Sequence, residues 1–278
     1  MASGALAIQP QVPASPHIVC ASRPKQFARI GKVRFHLASG RQRNVHAMNP
    51  FDSTIVHFLN QFAFRSEFFD RAALAMTQLY MLRGVPMIAL LWWIWFRDGD
   101  SATRQRDREI IITTIFAGLC ALALGRFLAH WVPFRIRPFA NRELGLHFPM
   151  SSEDRIRTWS AFPSDHAMLW VAVATGILLA SWRAGIVALA YALFGICLTR
   201  VYVGLHHPTD VLGGAVIGAS LCLLLNLTPC RQWIAAPVLY LSRRYQALFH
   251  MGMFLLSFGL ATHFDELLMM SSALLKLA

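Results

Sequence analysis

Long apolar runs separated by short polar loops are the main pattern of this 278-residue chain. The runs that carry almost no charge cover residues 86–96, 110–129, 168–181, 184–198 and 211–227. The first of them extends back to Leu79 if the side chain of Arg83 snorkels to the membrane interface. Segments of about 20 apolar residues can cross a bilayer, whereas the helices of a soluble protein would need polar faces that these runs lack. The pattern therefore predicts a protein embedded in a membrane bilayer.

The same pattern predicts the number and limits of the helices. The expected spans cover residues 77–96, 109–131, 164–182, 184–202 and 209–227. A last apolar segment covers residues 247–277 and is either one bent helix or two short ones, because His263, Asp265 and Glu266 interrupt it. Residues 51–72 mix phenylalanines with polar residues, which is typical of an interfacial helix. The predicted fold class is all-α: a polytopic membrane helix bundle of about five to six spans with an interfacial N-terminal helix.

Residues 1–47 differ from the rest of the chain, because they contain seven Lys or Arg and no Asp or Glu. They lack the apolar core of a secretory signal, so we expect either a disordered basic extension or a mis-assigned start, with Met48 as a plausible beginning. No interleaved aromatic residues support a nucleic-acid partner. The expected divisions are 1–47, the basic extension; 48–72, the interfacial amphipathic helix; 73–227, the membrane core; and 228–278, an amphipathic segment with a C-terminal membrane helix.

The cysteines do not form a disulfide or metal framework. Cys120, Cys197 and Cys222 lie inside apolar runs, and the chain contains no Cys-x-x-Cys pair. Such isolated cysteines are typical of small buried hydrophobic residues. No metal ligand is therefore assigned to them.

The arginines give the chain a predicted orientation. Successive spans cross the membrane in opposite directions, so every second loop lies on the same side. One side then holds residues 97–108, Arg183 and residues 231–244, and the positive-inside rule makes that side cytoplasmic. Loops 132–163 and 203–208 fall on the opposite side, together with the basic extension. The first of these loops also carries five arginines. The orientation is consistent only if some of those arginines have a function on the outer side.

Polar residues near the membrane are gathered in three clusters, each where a predicted span meets that outer side. A charged residue in a span is costly unless it is paired or functional, so the clusters are expected to form one pocket. The first closes the second span in "GRFLAHWVPFRIRPF", the next opens the third span in "AFPSDHAM", and the last joins the fourth and fifth spans in "TRVYVGLHHPTD". Their members are Arg126, His130, Arg135 and Arg137; Ser164, Asp165 and His166; and Arg200, His206, His207 and Asp210.

These residue types favour phosphoryl transfer. Guanidinium groups such as those of Arg137 and Arg200 match phosphate oxygens bidentately. Ser164 precedes a helical run and is predicted to cap it, which would turn the positive end of the helix dipole toward an anion. Two histidines in separate segments can serve as nucleophile and general acid. Asp210 follows His206 by four residues, so it can orient that imidazole.

The three clusters together resemble the type 2 phosphatidic acid phosphatase superfamily of integral membrane lipid phosphatases. Its pattern is Lys, six residues, Arg-Pro; then Pro-Ser-Gly-His; then Ser-Arg, five residues, His, three residues, Asp. Arg137-Pro138 matches the first block, and Pro163-Ser164-Asp165-His166 matches the second. The third block is matched, with its spacing intact, by Arg200, His206 and Asp210. Within the superfamily, "FPSDHA" and "RPF" are most similar to the undecaprenyl-diphosphate phosphatase branch.

The resemblance implies a role for each matched residue. His206 would attack phosphorus and form a phosphohistidine, His166 would protonate the leaving oxygen, and Asp210 would orient His206. The phosphate would be held by Arg137, Arg200 and Ser164, with His130 and Arg135 as further contacts. Water would then release phosphate without a metal or other cofactor. His207 is expected to be a bystander.

Two positions depart from the family pattern. His130 stands where the family has lysine, and a histidine is only partly charged near neutral pH. Asp165 replaces glycine, which suits an anion site only if its carboxylate points away or pairs with an arginine such as Arg135. Thr199 replaces serine and keeps a hydroxyl group.

Several functions remain open at the level of sequence. The first expectation is hydrolysis of undecaprenyl diphosphate at the outer face of a bacterial inner membrane. A glycerolipid phosphate or a lipid A phosphate is an alternative substrate, and a lipid phosphotransferase would use the same residues. A transporter would require an internal repeat and polar residues at the midplane, neither of which the sequence shows. A haloperoxidase shares the anion-binding blocks but is soluble, and an inactive relative is compatible with the two departures.

Overall fold

The computed structural model describes residues 48–150 and 160–264, which contain helices, turns and loops and no β-strand. This confirms the predicted all-α class. Two short 3₁₀ turns, Pro138–Ala140 and Arg142–Leu144, lie in the loop after the fifth helix. The α-helices are α1 (Pro50–Asn60), α2 (Glu67–Gln78), α3 (Tyr80–Arg83), α4 (Val85–Phe96), α5 (Ser101–Trp131), α6 (Asp165–Ala180), α7 (Trp182–Ala190), α8 (Leu198–Tyr202), α9 (Pro208–Leu225), α10 (Thr228–Arg244) and α11 (Gln246–Ala261).

The helices follow the predicted apolar runs with one main exception. The expected first span, residues 77–96, is divided, because α2 ends at Gln78 and α4 begins only after Gly84. Gly84 packs so closely on α11 that an added Cβ would lie 2.7 Å from the Cα of Ala261. Arg83 is 4% exposed, so the condition for extending the first apolar run back to Leu79, a snorkelling Arg83, is not met. Its Nη1 donates a hydrogen bond to the carbonyl of Thr77, 2.8 Å away.

Six apolar helical segments are described, and three of them are long enough by length and composition to cross a membrane. The long ones are α5, α9 and the continuous run Trp182–Tyr202, which joins α7 and α8 through π-helical turns at Tyr191–Cys197. The shorter ones are α4, α6 and α11. This arrangement is that of an integral membrane helix bundle. The predicted break in the last apolar segment falls at the end of α11, and residues 265–278 lie outside the described part of the chain.

Helix α6 lies at the centre of the bundle and is buried on nearly all sides. An apolar helix without a polar face is expected there, because each side of it meets another helix. Its main neighbours are α5 and α9. Cys197 and Cys222 are buried free thiols at the helix contacts, as the sequence predicted.

Glycines allow α9 to approach α6 at very short range. A Cβ added at Gly218 would lie 2.1 Å from the carbonyl oxygen of Met168, and one added at Gly214 would lie 2.6 Å from that of Ser164. Both obstacles are backbone atoms, which cannot rotate away. Gly214 therefore brings the N-terminal end of α6 against the start of α9, which is how the second and third clusters meet.

This close approach gives a stability prediction. The Gly218→Ala variant should be destabilised by about 1–3 kcal/mol, because even one methyl group overpacks the α6–α9 contact. The melting midpoint of the detergent-purified protein, followed by circular dichroism, measures the effect. Gly252→Ala in α11 is the matched control, since nothing lies within 4 Å of its added Cβ. An unchanged midpoint for Gly218→Ala would contradict the packing described here.

The two ends of the bundle carry different chemistry. At one end, Arg97 bonds to Asp107 and to the carbonyl of Ala180, and Arg231 pairs with Glu109. These contacts join the end of α4, the start of α5, the end of α6 and the start of α10. The three polar clusters named above lie at the opposite end.

Candidate active site

A tight loop between α8 and α9 holds His206. The backbone N–H groups of Leu205 and His206 both donate to the carbonyl of Arg200, at 2.9 and 3.4 Å, so the loop folds back on the end of α8. Gly204 has φ +80° and packs against Phe148, which favours glycine at this turn. The resulting loop leaves the imidazole of His206 only 2% exposed.

The contacts of His206 define which of its nitrogens is free. Its Nδ1 lies 2.8 Å from the carbonyl oxygen of Ala161. A carbonyl can only accept, so Nδ1 carries the proton and the lone pair of the neutral ring is on Nε2. Burial, together with the positive charges of Arg137 and Arg200, lowers the pKa of His206 well below its usual value. The imidazole is therefore neutral at neutral pH.

Asp210 organises the start of α9. One carboxylate oxygen accepts the backbone N–H of His207 at 2.7 Å, and the other accepts Nη1 of Arg135 at 2.5 Å. The distance from Asp210 Oδ2 to Nδ1 of His206 is 4.0 Å, which is an ion-pair separation rather than a hydrogen bond. The tautomer of His206 is thus set by Ala161, and the carboxylate of Asp210 lies close enough to offset positive charge on the ring.

Arg135 lies between two buried carboxylates. Its Nη1 contacts Asp210, and its Nη2 donates to Asp52 Oδ2 at 2.6 Å. Asp52 belongs to α1, is fully buried, and also accepts the N–H and the hydroxyl of Thr209 at 2.8 and 2.7 Å. Burial opposes ionisation of Asp52, yet the hydrogen bonds from Thr209 and Arg135 hold its pKa below the usual value. Sequence reasoning missed Asp52, whose only signal was an acidic residue at the start of an apolar helix.

The Pro-Ser-Asp-His turn opens α6 as predicted. Ser164 is the N-cap residue, and its Oγ accepts the N–H of Ala167 at 3.5 Å. Its own N–H donates to the carbonyl of Asp210, which ties the second cluster to the third. Asp165 pairs with Nδ1 of His166 at 2.8 Å. Arg135, the arginine suggested as its partner, bonds to Asp52 and Asp210.

Two arginines face the histidines. Arg200 is 5% exposed, and its Nε is buried without a hydrogen-bond partner in the described chain. Arg137 is half-buried and donates to the carbonyl of Leu205 at 3.1 Å. Both lie close enough to His206 to act on it electrostatically. The site therefore combines a neutral imidazole with two cations that can bind an anion.

Comparison with known sequences relates the segment that holds the three polar clusters to a protein family. The sequence profile of the PAP2 superfamily matches residues 108–233, a range that includes all three clusters. We refer to these matched residues, 108–233, as the PAP2 domain. The resemblance inferred from the three blocks is thereby confirmed.

Several curated proteins are similar to this chain. A putative undecaprenyl-diphosphatase of Escherichia coli is 30% identical over 142 residues, which are 50% of this chain and 63% of that protein. An undecaprenyl-diphosphatase of Sulfolobus acidocaldarius is 30% identical over 43% of this chain and 55% of that protein. A lipid A 1-phosphatase of Rhizobium johnstonii is 32% identical over 44% and 47%. The chain thus spans about half to two thirds of the length of these relatives. No solved structure matches the chain significantly.

The structure brings together seven of the eight predicted site residues of the PAP2 domain. The eighth, His130, has an exposed ring at the end of α5, and its Nδ1 lies 2.7 Å from the carbonyl of Arg126 on the same helix. The position of the family lysine therefore offers no buried cation here. The seven grouped residues are Arg135, Arg137, Ser164, His166, Arg200, His206 and Asp210.

Three residues outside the PAP2 domain reach the same region. Asp52 comes from α1, Arg83 from α3, and His263 from the turn that follows α11. Arg83 and Arg200 both act electrostatically on the ring of His263. His263 was expected to be only a helix break; its ring is buried against His166. Its sequence signal was a single histidine beside charged residues in an apolar segment.

The acidic side chains of the site do not form a metal cage. Among residues 48–150 and 160–264, no group of three or more His, Cys, Asp or Glu side chains lies in an arrangement that could hold a metal ion. Asp52, Asp165 and Asp210 are each engaged with an arginine, a histidine or backbone N–H groups instead. The carboxylates of the site thus serve to orient its cationic and imidazole groups.

Proposed function

We propose that the protein is a membrane phosphatase that hydrolyses a lipid phosphate or diphosphate through a phosphohistidine on His206. One observation carries this proposal. A buried, neutral imidazole has its Nδ1 proton fixed on the carbonyl of Ala161, so that its Nε2 lone pair is free beside Arg137 and Arg200. A neutral nitrogen among cations is what attack on a phosphate anion requires.

The first step joins His206 to phosphorus. Nε2 forms the new P–N bond while the bond between phosphorus and the leaving oxygen breaks. His166, in its imidazolium form, donates the Nε2 proton to that oxygen, and Asp165 accepts a hydrogen bond from Nδ1 of the same ring. Its Nε2, which is buried and has no hydrogen-bond partner among the described residues, is the nitrogen available for the transfer.

The second step returns His206 to its starting state. His166, now deprotonated, takes a proton from water, and the water oxygen attacks phosphorus while the P–N bond breaks. Asp210, 4.0 Å from Nδ1, offsets the positive charge of the phosphorylated ring. The products are the lipid alcohol or monophosphate and inorganic phosphate, so atoms and charge balance without another reactant.

The phosphate oxygens are assigned to three groups. Arg200 and Arg137 supply guanidinium donors, and the N-terminal end of α6, capped by Ser164, supplies a positive dipole end. Arg135 differs from its expected role, since both of its terminal nitrogens are engaged by Asp52 and Asp210. We therefore assign it to holding the start of α9 and not to the phosphate.

The substrate class is inferred from the relatives and the fold. Undecaprenyl diphosphate is our first substrate, because two of the similar proteins are named for it, and a lipid A phosphate is the alternative that the Rhizobium relative supports. The end of the bundle that holds Arg97, Arg183 and Arg231 would face the cytoplasm. The site would then face the outer side of a bacterial inner membrane.

Phosphate release by the detergent-purified protein tests the function. With EDTA present, the protein should release phosphate from undecaprenyl diphosphate faster than from lipid A or phosphatidic acid, because no metal takes part in the proposed steps. Faster release from lipid A would instead support the alternative substrate, a lipid A phosphate. Loss of activity in EDTA that added Mg²⁺ restores would contradict the metal-free mechanism. Absence of release from all three lipids would contradict hydrolysis itself.

A further inference from the structure

The turn after α11 places a second imidazole against the proposed general acid. The ring of His263 is stacked on that of His166, with ring centroids 3.9 Å apart and planes inclined by 22°. Trp170 of α6 contacts the same ring edge-on at 5.7 Å. His263 is 1% exposed, so its ring is fixed between α6 and the end of α11.

The polar atoms of this ring have no protein partner. Both Nδ1 and Nε2 of His263 are buried without a hydrogen bond in the described part of the chain. A neutral imidazole has one donor and one acceptor, and leaving either unsatisfied costs about 1–3 kcal/mol. A histidine that served only for packing would normally direct at least one nitrogen to a carbonyl, as His206, His207 and His250 do.

The neighbours of His263 share this property. Nε2 of His166 and Nε of Arg200 are also buried and lack hydrogen-bond partners among the described residues. His263 stacks on His166, and Arg200 and Asp165 lie within electrostatic reach of both rings, so these groups share one region. Unsatisfied nitrogens from three separate segments that converge in this way indicate a ligand with several acceptor oxygens.

The backbone at His263 is held in place by the PAP2 domain. Nη2 of Arg126, near the end of α5, donates to the carbonyl oxygen of His263 at 2.7 Å. This bond crosses 137 residues of sequence. It fixes where the imidazole lies relative to α5 and α6, as a binding group requires.

We propose that His263 binds a phosphate oxygen of the substrate beside Arg200, as a ligand supplied from outside the PAP2 domain. This inference rests on the proposed function and deepens it. His263 would add a buried imidazole to the site, whereas the histidine at the family's lysine position, His130, is exposed. A diphosphate carries more acceptor oxygens than Arg137 and Arg200 satisfy, and the imidazole N–H adds a donor.

Substitution of His263 separates binding from packing. His263→Phe keeps an aromatic ring on His166 and removes both nitrogens. We expect kcat/KM for undecaprenyl diphosphate to fall about 10- to 100-fold, chiefly through KM, the loss typical of one hydrogen bond to a charged group. Inhibition by orthovanadate, a phosphate mimic, should weaken by a similar factor. His263→Gln, which keeps an amide donor, should retain more of both.

The matched control lies on α11, the helix that precedes the turn with His263. His250 already bonds to the carbonyl of Gln246 through Nδ1, far from the three clusters, so His250→Phe should leave KM and vanadate inhibition unchanged. Circular dichroism and the melting midpoint show whether each variant is folded. If His263→Phe does not fold, His263→Leu provides the comparison with His263→Gln.

Direct binding of orthovanadate, measured by calorimetry without lipid, distinguishes this proposal from the proposed function. Vanadate binding that is lost in His263→Phe would support the ligand role even if no lipid is hydrolysed, and the proposed function alone would then fail. An active enzyme whose folded His263→Phe variant keeps wild-type KM and vanadate affinity would overturn the inference. Absence of vanadate binding and of hydrolysis in the unmodified protein would overturn both.

Discussion

Replacing His206 with asparagine is expected to reduce phosphate release by at least about 10³-fold, because the nitrogen that we propose attacks phosphorus is lost. The amide of asparagine can still donate to the carbonyl of Ala161, so the loop between α8 and α9 should keep its conformation. The substitution thus removes only the nitrogen that attacks phosphorus, Nε2. Folding, followed by circular dichroism and the melting midpoint, should therefore remain close to that of the unmodified protein.

The covalent step gives an independent measurement. Phosphohistidine is stable in alkali, so protein mixed with lipid labelled in the phosphoryl group and stopped in alkali should retain label, whereas His206→Asn should not. His57→Asn on the exposed surface of α1 is the matched control and should keep full activity and labelling. Activity of His206→Asn within about tenfold of the unmodified enzyme would refute the assignment of the nucleophile.

Replacing Asp52 with asparagine is expected to cost about 3–5 kcal/mol of stability, the usual penalty for removing one partner of a buried ion pair. Asp52 accepts hydrogen bonds from Arg135 and from both the N–H and the hydroxyl of Thr209. An amide cannot balance the charge of Arg135, and its NH₂ group would face one of these donors. The start of α9, which carries Asp210 and adjoins His206, would lose its fixed position.

The same change should affect catalysis in a characteristic way. Small displacements of reacting groups cost about 10²-fold in rate, so kcat should fall about 10- to 100-fold while KM changes little, since Arg137 and Arg200 are untouched. The measurements are kcat, KM and the melting midpoint, with Asp98→Asn in the exposed α4–α5 loop as the control.

A double-mutant cycle tests whether Asp52 acts through Arg135. If it does, combining Asp52→Asn with Arg135→Gln should cost clearly less than the sum of the two single changes, because both remove the same ion pair. Strict additivity, or wild-type kcat and stability in Asp52→Asn, would exclude the proposed coupling.

The two carboxylate networks explain how the site tolerates acidic residues beside an anion. Asp210 and Asp52 are paired with Arg135, and Asp165 is paired with His166. Each carboxylate is thus directed to a cation or imidazole. The departure from glycine at position 165 places an acceptor on Nδ1 of His166, which orients the ring that we propose as the general acid.

The sequence by itself determined the features that depend on neighbours along the chain. The apolar runs predicted the helices, because the length and polarity of a segment decide whether it can be buried in a bilayer. The cap at Ser164 and the spacing of Arg200, His206 and Asp210 are local as well, since the residues of each feature are separated by no more than the length of about two or three helical turns. These local patterns were sufficient to indicate the superfamily and most of the candidate site.

Only the tertiary structure decided which distant segments meet. The bond between Asp52 and Arg135 crosses 83 residues, and the stacking of His263 on His166 joins α6 to the end of α11. Such contacts have no periodic signal, because any acidic residue or histidine in an apolar segment produces the same local pattern. The exposure of His130 is decided likewise by how α5 ends relative to its neighbours. Packing between helices, through close contacts such as Gly214 on Ser164, fixes these distances and thereby selects which polar residues share the site.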